Sequence, residues 1–252
     1  MYQGFYELTS GLLTQRRNLN VIAANMSNIE TPGYKSDTQS NSTFEEEMLI
    51  RTGRRNKDEK TDLAVTTPIV IADETTTNFN QGSLKETGNV LDFAISGNGF
   101  FRIGMPDGTE RYTRNGQFSL SQDGTLVLGE LGNVLDENGN TIRLSDENFS
   151  VLEDGTIKDS GGEDVARIGL ADFADYSALH REDNGLYSTD TAMTAVPAET
   201  KLLQKYIEQS NVDMTGEMTA MMSSQRALQS AAQMLKMYDG VLSHASNDVG
   251  RL

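Results

Sequence analysis

Apolar residues recur every three or four positions near both ends of this chain, the spacing that places side chains on one face of an α-helix. The N-terminal series, with Gln15 as its polar member, consists of Phe5, Leu8, Leu12, Leu19, Ile22, Met26 and Ile29. The C-terminal series, interrupted by Gln225 and Asp239, consists of Met214, Met218, Met221, Leu228, Ala232, Leu235 and Leu242. Because all four prolines lie outside both series, each segment is predicted to form one amphipathic helix.

The centre of the chain has a different pattern. Between residues 91 and 187, short apolar runs alternate with Asp-Gly dipeptides beginning at 107, 123 and 154 and Asn-Gly dipeptides beginning at 98, 115, 138 and 184. These dipeptides are strong hairpin signals, and no helical pattern separates the runs. The centre is therefore predicted to form an antiparallel β domain.

Together these patterns predict an α+β fold divided into four segments. A helix occupies residues 1–30, an extended linker residues 31–83, the β domain residues 84–196, and a linker with a second helix residues 197–252. The turn Thr31-Pro32-Gly33-Tyr34 is predicted to be of type II, with positive φ at Gly33, and to end the first helix. The apolar stripe of each helix must pack against protein, because a helix of this length is marginal alone.

Charge divides the chain in the same places. The 37 acidic and 21 basic residues give a net charge of -16, which argues against nucleic-acid and anionic-membrane partners. Residues 31–205 carry 16 cations and 30 anions, whereas both ends are nearly neutral. An acidic centre between neutral amphipathic ends predicts a solvated module held in an assembly by its helices.

Six of the 11 methionines lie within residues 206–252. Unbranched thioether side chains adapt to neighbours that are not identical, so a methionine-rich helix suits contact with several subunits. Ordinary core filling is the alternative interpretation of the same residues.

Motifs for catalysis or cofactor binding are missing from the sequence. It contains no cysteine and two histidines, His180 and His244, to which we assign no role. Residues 136–147 resemble a calcium loop, but Thr141 occupies the position that needs glycine, which favours an ordinary hairpin. We therefore predict no catalytic, cofactor or metal site, no small-molecule substrate and no enzyme activity.

No apolar run approaches the roughly 18 residues of a membrane-spanning helix. The segment 1–17 also lacks the positive stretch and unbroken apolar block of a secretory signal. We therefore expect a soluble protein that keeps this segment.

Three segments resemble one protein family. IAANMSNIETPGYK (residues 22–35) is similar to the N-terminal motif of the bacterial flagellar axial proteins, the rod and hook components of the basal body. QSNVDMTGEMTAMMSSQRALQSAAQMLKMYDGVL (209–242) resembles their C-terminal motif, with Leu228 where many relatives carry tyrosine. LDFAISGNGFFRI (91–103) and RYTRNGQFSLSQDGTLV (111–127) resemble the rod-protein module. The motif and turn residues are Asn25, Asn28, Thr31, Pro32, Gly33 and Tyr34.

The resemblance implies a structural subunit of the flagellar rod. Such a subunit is exported by the flagellar type III apparatus, polymerises helically in the periplasmic space and assembles with itself and with other rod and hook subunits. Its terminal helices form a coiled-coil-like inner layer and its β domain faces outward. The length and the ending NDVGRL favour a proximal rod protein, with the distal rod protein and a hook-type subunit as alternatives.

Two other classes of protein stay open at this stage. One is a secreted acidic surface module that forms a closed small oligomer through its helices. The other is a hydrolytic protein acting on the cell wall, for which the sequence has no spare segment.

Overall fold

The computed structural model describes residues 2–43, 47–52, 60–66, 70–144, 149–182 and 184–249. Within these ranges helices α1 (Tyr2–Ser27) and α2 (Met214–Val249) lie on either side of a series of strands in the sequence. The strands are β1 (Asp37–Thr43), β2 (Glu47–Thr52), β3 (Lys60–Thr66), β4 (Val70–Thr77), β5 (Leu84–Glu86), β6 (Phe93–Ser96), β7 (Phe100–Gly104), β8 (Glu110–Thr113), β9 (Ser119–Leu120), β10 (Leu126–Leu128), β11 (Gly132–Val134), β12 (Ser150–Val151), β13 (Thr156–Lys158), β14 (Asp164–Arg167), β15 (Leu170–Ala171), β16 (His180–Arg181), β17 (Tyr187–Ser188), β18 (Lys201–Gln204) and β19 (Tyr206–Glu208). The predicted α+β class is confirmed.

Both helices have identifiable ends. α1 stops at Ser27, and the following turn has a hydrogen bond from the Thr31 amide to the Asn28 carbonyl. Because α1 ends at Ser27, Ile29, which the periodicity assigned to the helical stripe, lies beyond its last turn. α2 is capped by Asp213, whose carboxylate accepts from the Thr215 amide at 3.1 Å. Over its described residues, neither helix has a stretch apolar enough to cross a membrane.

The chain divides into two compact units. The helical unit comprises Met1–Met26, Asp37–Thr76 and Asp213–Leu252, and the hairpin unit comprises Ser27–Ser36 and Thr77–Val212. In the helical unit β1 pairs with β4, and β2 pairs with β3 in antiparallel register.

Paired strands occupy much of the two segments for which the sequence predicted linkers. β1 to β4 lie within residues 31–83, and β18 and β19 lie within residues 197–252. β18 pairs with β6 and β19 pairs with β5, two strands of the predicted β domain. β1 has the sequence DTQSNST, which carries no alternation of apolar and polar residues. Its pairing depends on backbone hydrogen bonds, which leave no signal in a hydropathy pattern.

Antiparallel pairing builds the hairpin unit. Its largest sheet has the strand order β16-β17-β8-β7-β11-β10-β9, with β15 also paired to β7, and β12, β13 and β14 form a second sheet. The same turn, closed by two backbone hydrogen bonds and containing a glycine, recurs at the hairpins. At the first of them the Gly108 amide donates to the Met105 carbonyl, and the Met105 amide donates to the Thr109 carbonyl. Gly108 has a φ of 82°, which glycine adopts without strain, and this is why the Asp-Gly dipeptide marks the turn.

The core of the hairpin unit consists of two apolar clusters. The larger cluster contains Phe93, Phe101, Ile103 and Leu126, each with 0% of its surface exposed. The smaller cluster is mainly aromatic, and in it Phe79 and Phe100 meet edge to face with ring centroids 5.8 Å apart. Complete burial of large apolar side chains gives this unit its own stability.

Candidate assembly surfaces and a buried charged junction

Helix α1 buries a polar face more deeply than its leucine stripe. Thr14 is 4% exposed and Asn25 is 1% exposed. Ile22, the one buried residue of the predicted apolar stripe among those described, is 9% exposed. The predicted interface residues Leu8, Leu12, Leu19, Met26 and Ile29 are half-buried, and the side chain of Phe5 lies outside the described residues. Contacts within the chain therefore leave the leucine stripe partly open.

Asn25 joins three elements of the helical unit. Its side-chain oxygen accepts from the Asp37 amide at 2.9 Å, and its side-chain nitrogen donates to the Asp37 carbonyl at 2.8 Å. The same nitrogen donates to Glu217 in the first turn of α2 at 2.7 Å. A buried amide that satisfies its donors and acceptor in this way orients the start of β1 and of α2 around the end of α1.

Helix α2 leaves most of its methionines open to solvent. Met214 and Met218 of the predicted stripe are exposed, and so are Met222, Met234 and Met237 outside it. Met221, Leu228 and Leu235 are half-buried, Ala232 is exposed, and the side chain of Leu242 lies outside the described residues. Seven of the ten large apolar side chains exposed in the described part of the chain lie on α1 or α2. Exposed apolar surface concentrated in this way marks an interaction surface.

The turn after α1 has the predicted geometry. The Tyr34 amide donates to the Thr31 carbonyl at 3.3 Å, and Gly33 has a φ of 70°, as a type II turn requires. A Cβ atom at Gly33 would lie 2.3 Å from the carbonyl carbon of Arg114, so the position excludes a side chain for steric reasons as well. Thr31 also donates from its hydroxyl to the side-chain oxygen of Asn28 at 3.1 Å.

Directly after this turn lies a buried charged junction, which we define as Lys35, Glu208, Arg114 and the backbone around Gly82. The Lys35 ammonium and one Glu208 oxygen are 2.6 Å apart, and Arg114 lies 3.3 Å from the other oxygen. The amide of Gly82 donates to the same carboxylate at 2.8 Å, and Lys35 also donates to the Asn80 carbonyl. Burial lowers the pKa of Lys35 from its ordinary value, and the Glu208 carboxylate opposes that shift.

The junction brings together the segments through which the hairpin unit continues into the rest of the chain. The Gly33 amide donates to the Glu208 carbonyl at 2.7 Å. Asn211 accepts from the Ser36 amide and donates to the Asn78 and Asn80 carbonyls. Residues 33–36, 78–82 and 208–211 are thereby held side by side within the hairpin unit.

Arg181 covers the motif tyrosine at this place. Its guanidinium lies over the Tyr34 ring, 4.5 Å from the centroid, and donates to the Lys35 carbonyl. Pro32, the second residue of the turn, is half-buried.

Sequence reasoning did not identify the charged junction. Lys35 is the last residue of the N-terminal motif and Arg114 belongs to the YTRNG stretch, yet nothing in their spacing pairs them with Glu208. A charged residue is rarely buried without a partner, but the sequence does not show which charges are buried.

No candidate metal site is found among the described residues. They contain no group of three or more His, Asp or Glu side chains that could hold a metal ion. At the calcium-like loop, Asp136 accepts instead from the amides of Asn138 and Asn140, as in an ordinary turn. His180 and His244 are exposed on separate elements.

Comparison with known proteins matches three family models to the chain in order. The model described as flagella basal body rod protein matches residues 5–35, and the flagellar hook protein FlgE/F/G D1 domain matches residues 94–159. The flagellar basal body rod FlgEFG protein C-terminal model matches residues 203–248. The first match contains the turn and Lys35, and the third contains Glu208 and Asn211. The predicted family resemblance is confirmed.

Individual relatives span nearly the whole chain. It is 32% identical over 238 residues to the flagellar basal-body rod protein FlgF of Caulobacter vibrioides, with 93% of each chain covered. It is 32% identical over 266 residues to the rod protein FlgG of Bacillus subtilis, covering 98% of this chain and 99% of the relative. The flagellar hook-basal body complex protein FlhO of Bacillus subtilis is 28% identical over 273 residues, with both chains covered completely.

Proposed function

This chain belongs to the flagellar basal-body rod protein family, and we propose that it polymerises helically through α1 and α2 to form the drive shaft and export channel of the rod. The family is one of structural rod proteins, and the chain is accordingly a structural subunit of the rod. The mode of assembly is the proposal.

The exposed apolar surface of the two helices is the observation that supports this mode of assembly. Met237 is 64% exposed and Val241 is 68% exposed, whereas Phe101 in the hairpin unit is completely buried. Transfer of apolar surface from water contributes about 25 cal/mol per Å², so neighbouring subunits that cover α2 gain a large stabilisation. A methionine-rich face adapts to neighbours that differ, as the successive subunits of a rod do.

In this proposal residues 1–30 and 197–252 form a coiled-coil-like inner layer and residues 84–196 face outward. The net charge of -16 supports an outer face that stays in solvent and binds no nucleic acid. The partners are other copies of the chain, further rod and hook subunits, and the type III export apparatus that delivers the chain to the periplasmic side. The subunit acts without a cofactor, a metal or a small-molecule substrate and has no enzyme activity.

We assign the chain to the proximal rod, with the distal rod as the alternative. Relatives named FlgF and FlgG are equally identical to it at 32%, so identity does not favour one of these rod proteins over the other. Deletion of the gene separates them. Basal bodies purified from the deletion strain should lack the proximal rod segment, and loss of the distal segment alone would favour the alternative.

The proposed interface is tested by introducing charge into the stripes. Leu12→Asp and Leu235→Asp should each block incorporation into basal bodies and abolish swimming, because a carboxylate cannot be buried between subunits without a partner. Leu152→Asp is the matched control, since Leu152 is exposed in the hairpin unit and lies on neither helix. Normal swimming of both helix variants would contradict the proposal.

A further inference from the structure

A groove of about 350 Å³ lies within the helical unit between α1, β1 and α2. Its α2 side is lined by Gly216, Ala220 and Ser224, small residues spaced four apart. Small side chains at this spacing make a shallow helix surface that another element can approach closely. On the α1 side, Val21 and Ile22 give the groove an apolar floor.

The groove is electronegative. Asp37, Asp213 and Glu217 line it, and no Lys or Arg occurs among its described lining residues. Carboxylates beside an apolar floor favour an occupant that combines an aliphatic side chain with a neighbouring cation.

Such a surface is present on the chain itself, on the exposed face of α1. Leu13 is 55% exposed, and Arg16 and Arg17, about one turn further along the helix, are exposed as well. Between Leu8 and Ile29 these two arginines are the only charged residues. The face therefore presents a leucine with two cations beside it and no anion.

We propose that the groove of one copy of this chain receives Leu13 and Arg16 of a second copy. This inference rests on the proposed function and names the surface through which neighbouring copies meet. Leu13 contacts the apolar floor, and Arg16 pairs with the carboxylates of the groove.

The two surfaces are different patches of one helical unit, so the contact is heterologous. The groove of each copy can bind one neighbour, and Leu13 and Arg16 of the same copy can bind the groove of another. Repetition of this contact generates an open helical array unless the rotation between successive copies closes a ring. Leu13 and Ile22 are nine residues apart on α1, about 13.5 Å along the helix, so two parallel α1 helices that meet in this way would be shifted by about that distance.

The chain contains no cysteine, so paired cysteines test this contact against a clean background. Basal bodies are purified from cells whose only copy of the chain carries Leu13→Cys and Ala220→Cys, and are treated with a short bifunctional thiol crosslinker. We expect covalent species at two and more times the 27.6 kDa of the chain. Each single-cysteine variant, and Leu13→Cys combined with Val165→Cys on the hairpin unit, should give at least tenfold less product.

Swimming of the double-cysteine strain before crosslinking verifies that the variant assembles. If it does not swim, Ser10→Cys, about one turn before Leu13 on α1 and outside the proposed contact, replaces Leu13→Cys. As a second measurement, Arg16→Glu should reduce incorporation at least tenfold, Arg16→Lys should not, and Asp37→Arg should restore part of the loss for Arg16→Glu.

The outcomes separate this inference from the proposed function. A product with the mass of this chain plus a different subunit would overturn the commitment to a second copy. Absence of product from basal bodies that contain the chain would overturn the groove contact and leave the rod assignment intact. Absence of the unaltered chain from basal bodies would overturn the rod assignment itself.

Discussion

The hairpin unit and the helical unit differ in how much of their large apolar side chains is exposed to solvent. In the hairpin unit Phe93, Phe101 and Ile103 are completely buried, whereas on α2 of the helical unit Met222 and Met237 are more than half exposed. The first unit closes its core with its own chain. The second leaves apolar surface on α2 exposed, and neighbouring subunits that cover it, as proposed above, would stabilise this unit.

Buried polar groups differ between the units in a related way. The hairpin unit buries full charges in its junction, where Glu208 is paired with Lys35 and Arg114. The helical unit buries the neutral amide of Asn25 and leaves its leucine stripe partly open. In both units the internal polar contacts orient segments of chain, and both apolar clusters found among the described residues belong to the hairpin unit.

The largest expected difference between the units is in core truncation. Phe101→Ala should lower the free energy of unfolding of the purified protein by about 3–5 kcal/mol, because it leaves a cavity in the larger cluster. Met237→Ala should change it by less than about 0.5 kcal/mol, because Met237 is exposed in the monomer. Urea unfolding measures both. A similar loss for both variants would mean that α2 has a packed position within the monomer.

The charged junction should give the next largest effect. Glu208→Gln leaves the cations of Lys35 and Arg114 buried without a counter-charge and should cost about 3 kcal/mol in urea unfolding. Glu153→Gln is the matched control, since Glu153 pairs with Lys201 at the surface and should cost less than about 1 kcal/mol. Equal effects of the two variants would show that the buried pair contributes no more than an exposed one.

A smaller loss is expected at the turn that links the two kinds of structure. Gly33→Val places a branched residue at positive φ, which costs about 1–2 kcal/mol before the contact with Arg114 is counted. Motility should fall while export continues, because the segment after α1 is misdirected. Gly88→Val is the control, because Gly88 also has positive φ but no atom lies within 4 Å of the added Cβ. Equal motility of the two variants would contradict the steric part of this argument.

The smallest effect concerns pH and belongs to the hairpin unit alone. Burial, together with the hydrogen bond to Asp172, raises the pKa of Tyr176 to about 12. The folded protein then holds this proton more tightly than the unfolded chain, whose tyrosines titrate near pH 10. The stabilisation is complete below about pH 10 and is lost as the pH rises toward 12.

Ultraviolet absorbance of tyrosinate measures this titration. Tyr176→Phe should remove a step near pH 12, and Asp172→Asn should move that step toward pH 10. Loss of a step near pH 10 in the Tyr176→Phe variant would show that the phenol is not held by the fold.

Much of the hairpin unit was predictable because its turns are local. Asp-Gly at 107 marks a hairpin, since glycine supplies the positive φ of the turn, and Thr31 to Tyr34 form the predicted type II turn for the same reason. The strand β18 was not predicted. Leu202 is completely covered only after Lys201–Gln204 returns to pair with β6, a contact more than a hundred residues away in sequence.

By itself the sequence determined the two helices, the hairpin-rich centre, the turn at Gly33 and the family, because each follows from local spacing or a contiguous motif. Only the tertiary structure determined which face of α1 is buried, and on that helix Thr14 and Asn25 are more deeply buried than the leucines of the stripe. It also decided that Lys35, Arg114 and Glu208 meet. Periodicity shows which residues share a face, but only the arrangement of distant segments determines which face is buried within the chain and which stays exposed.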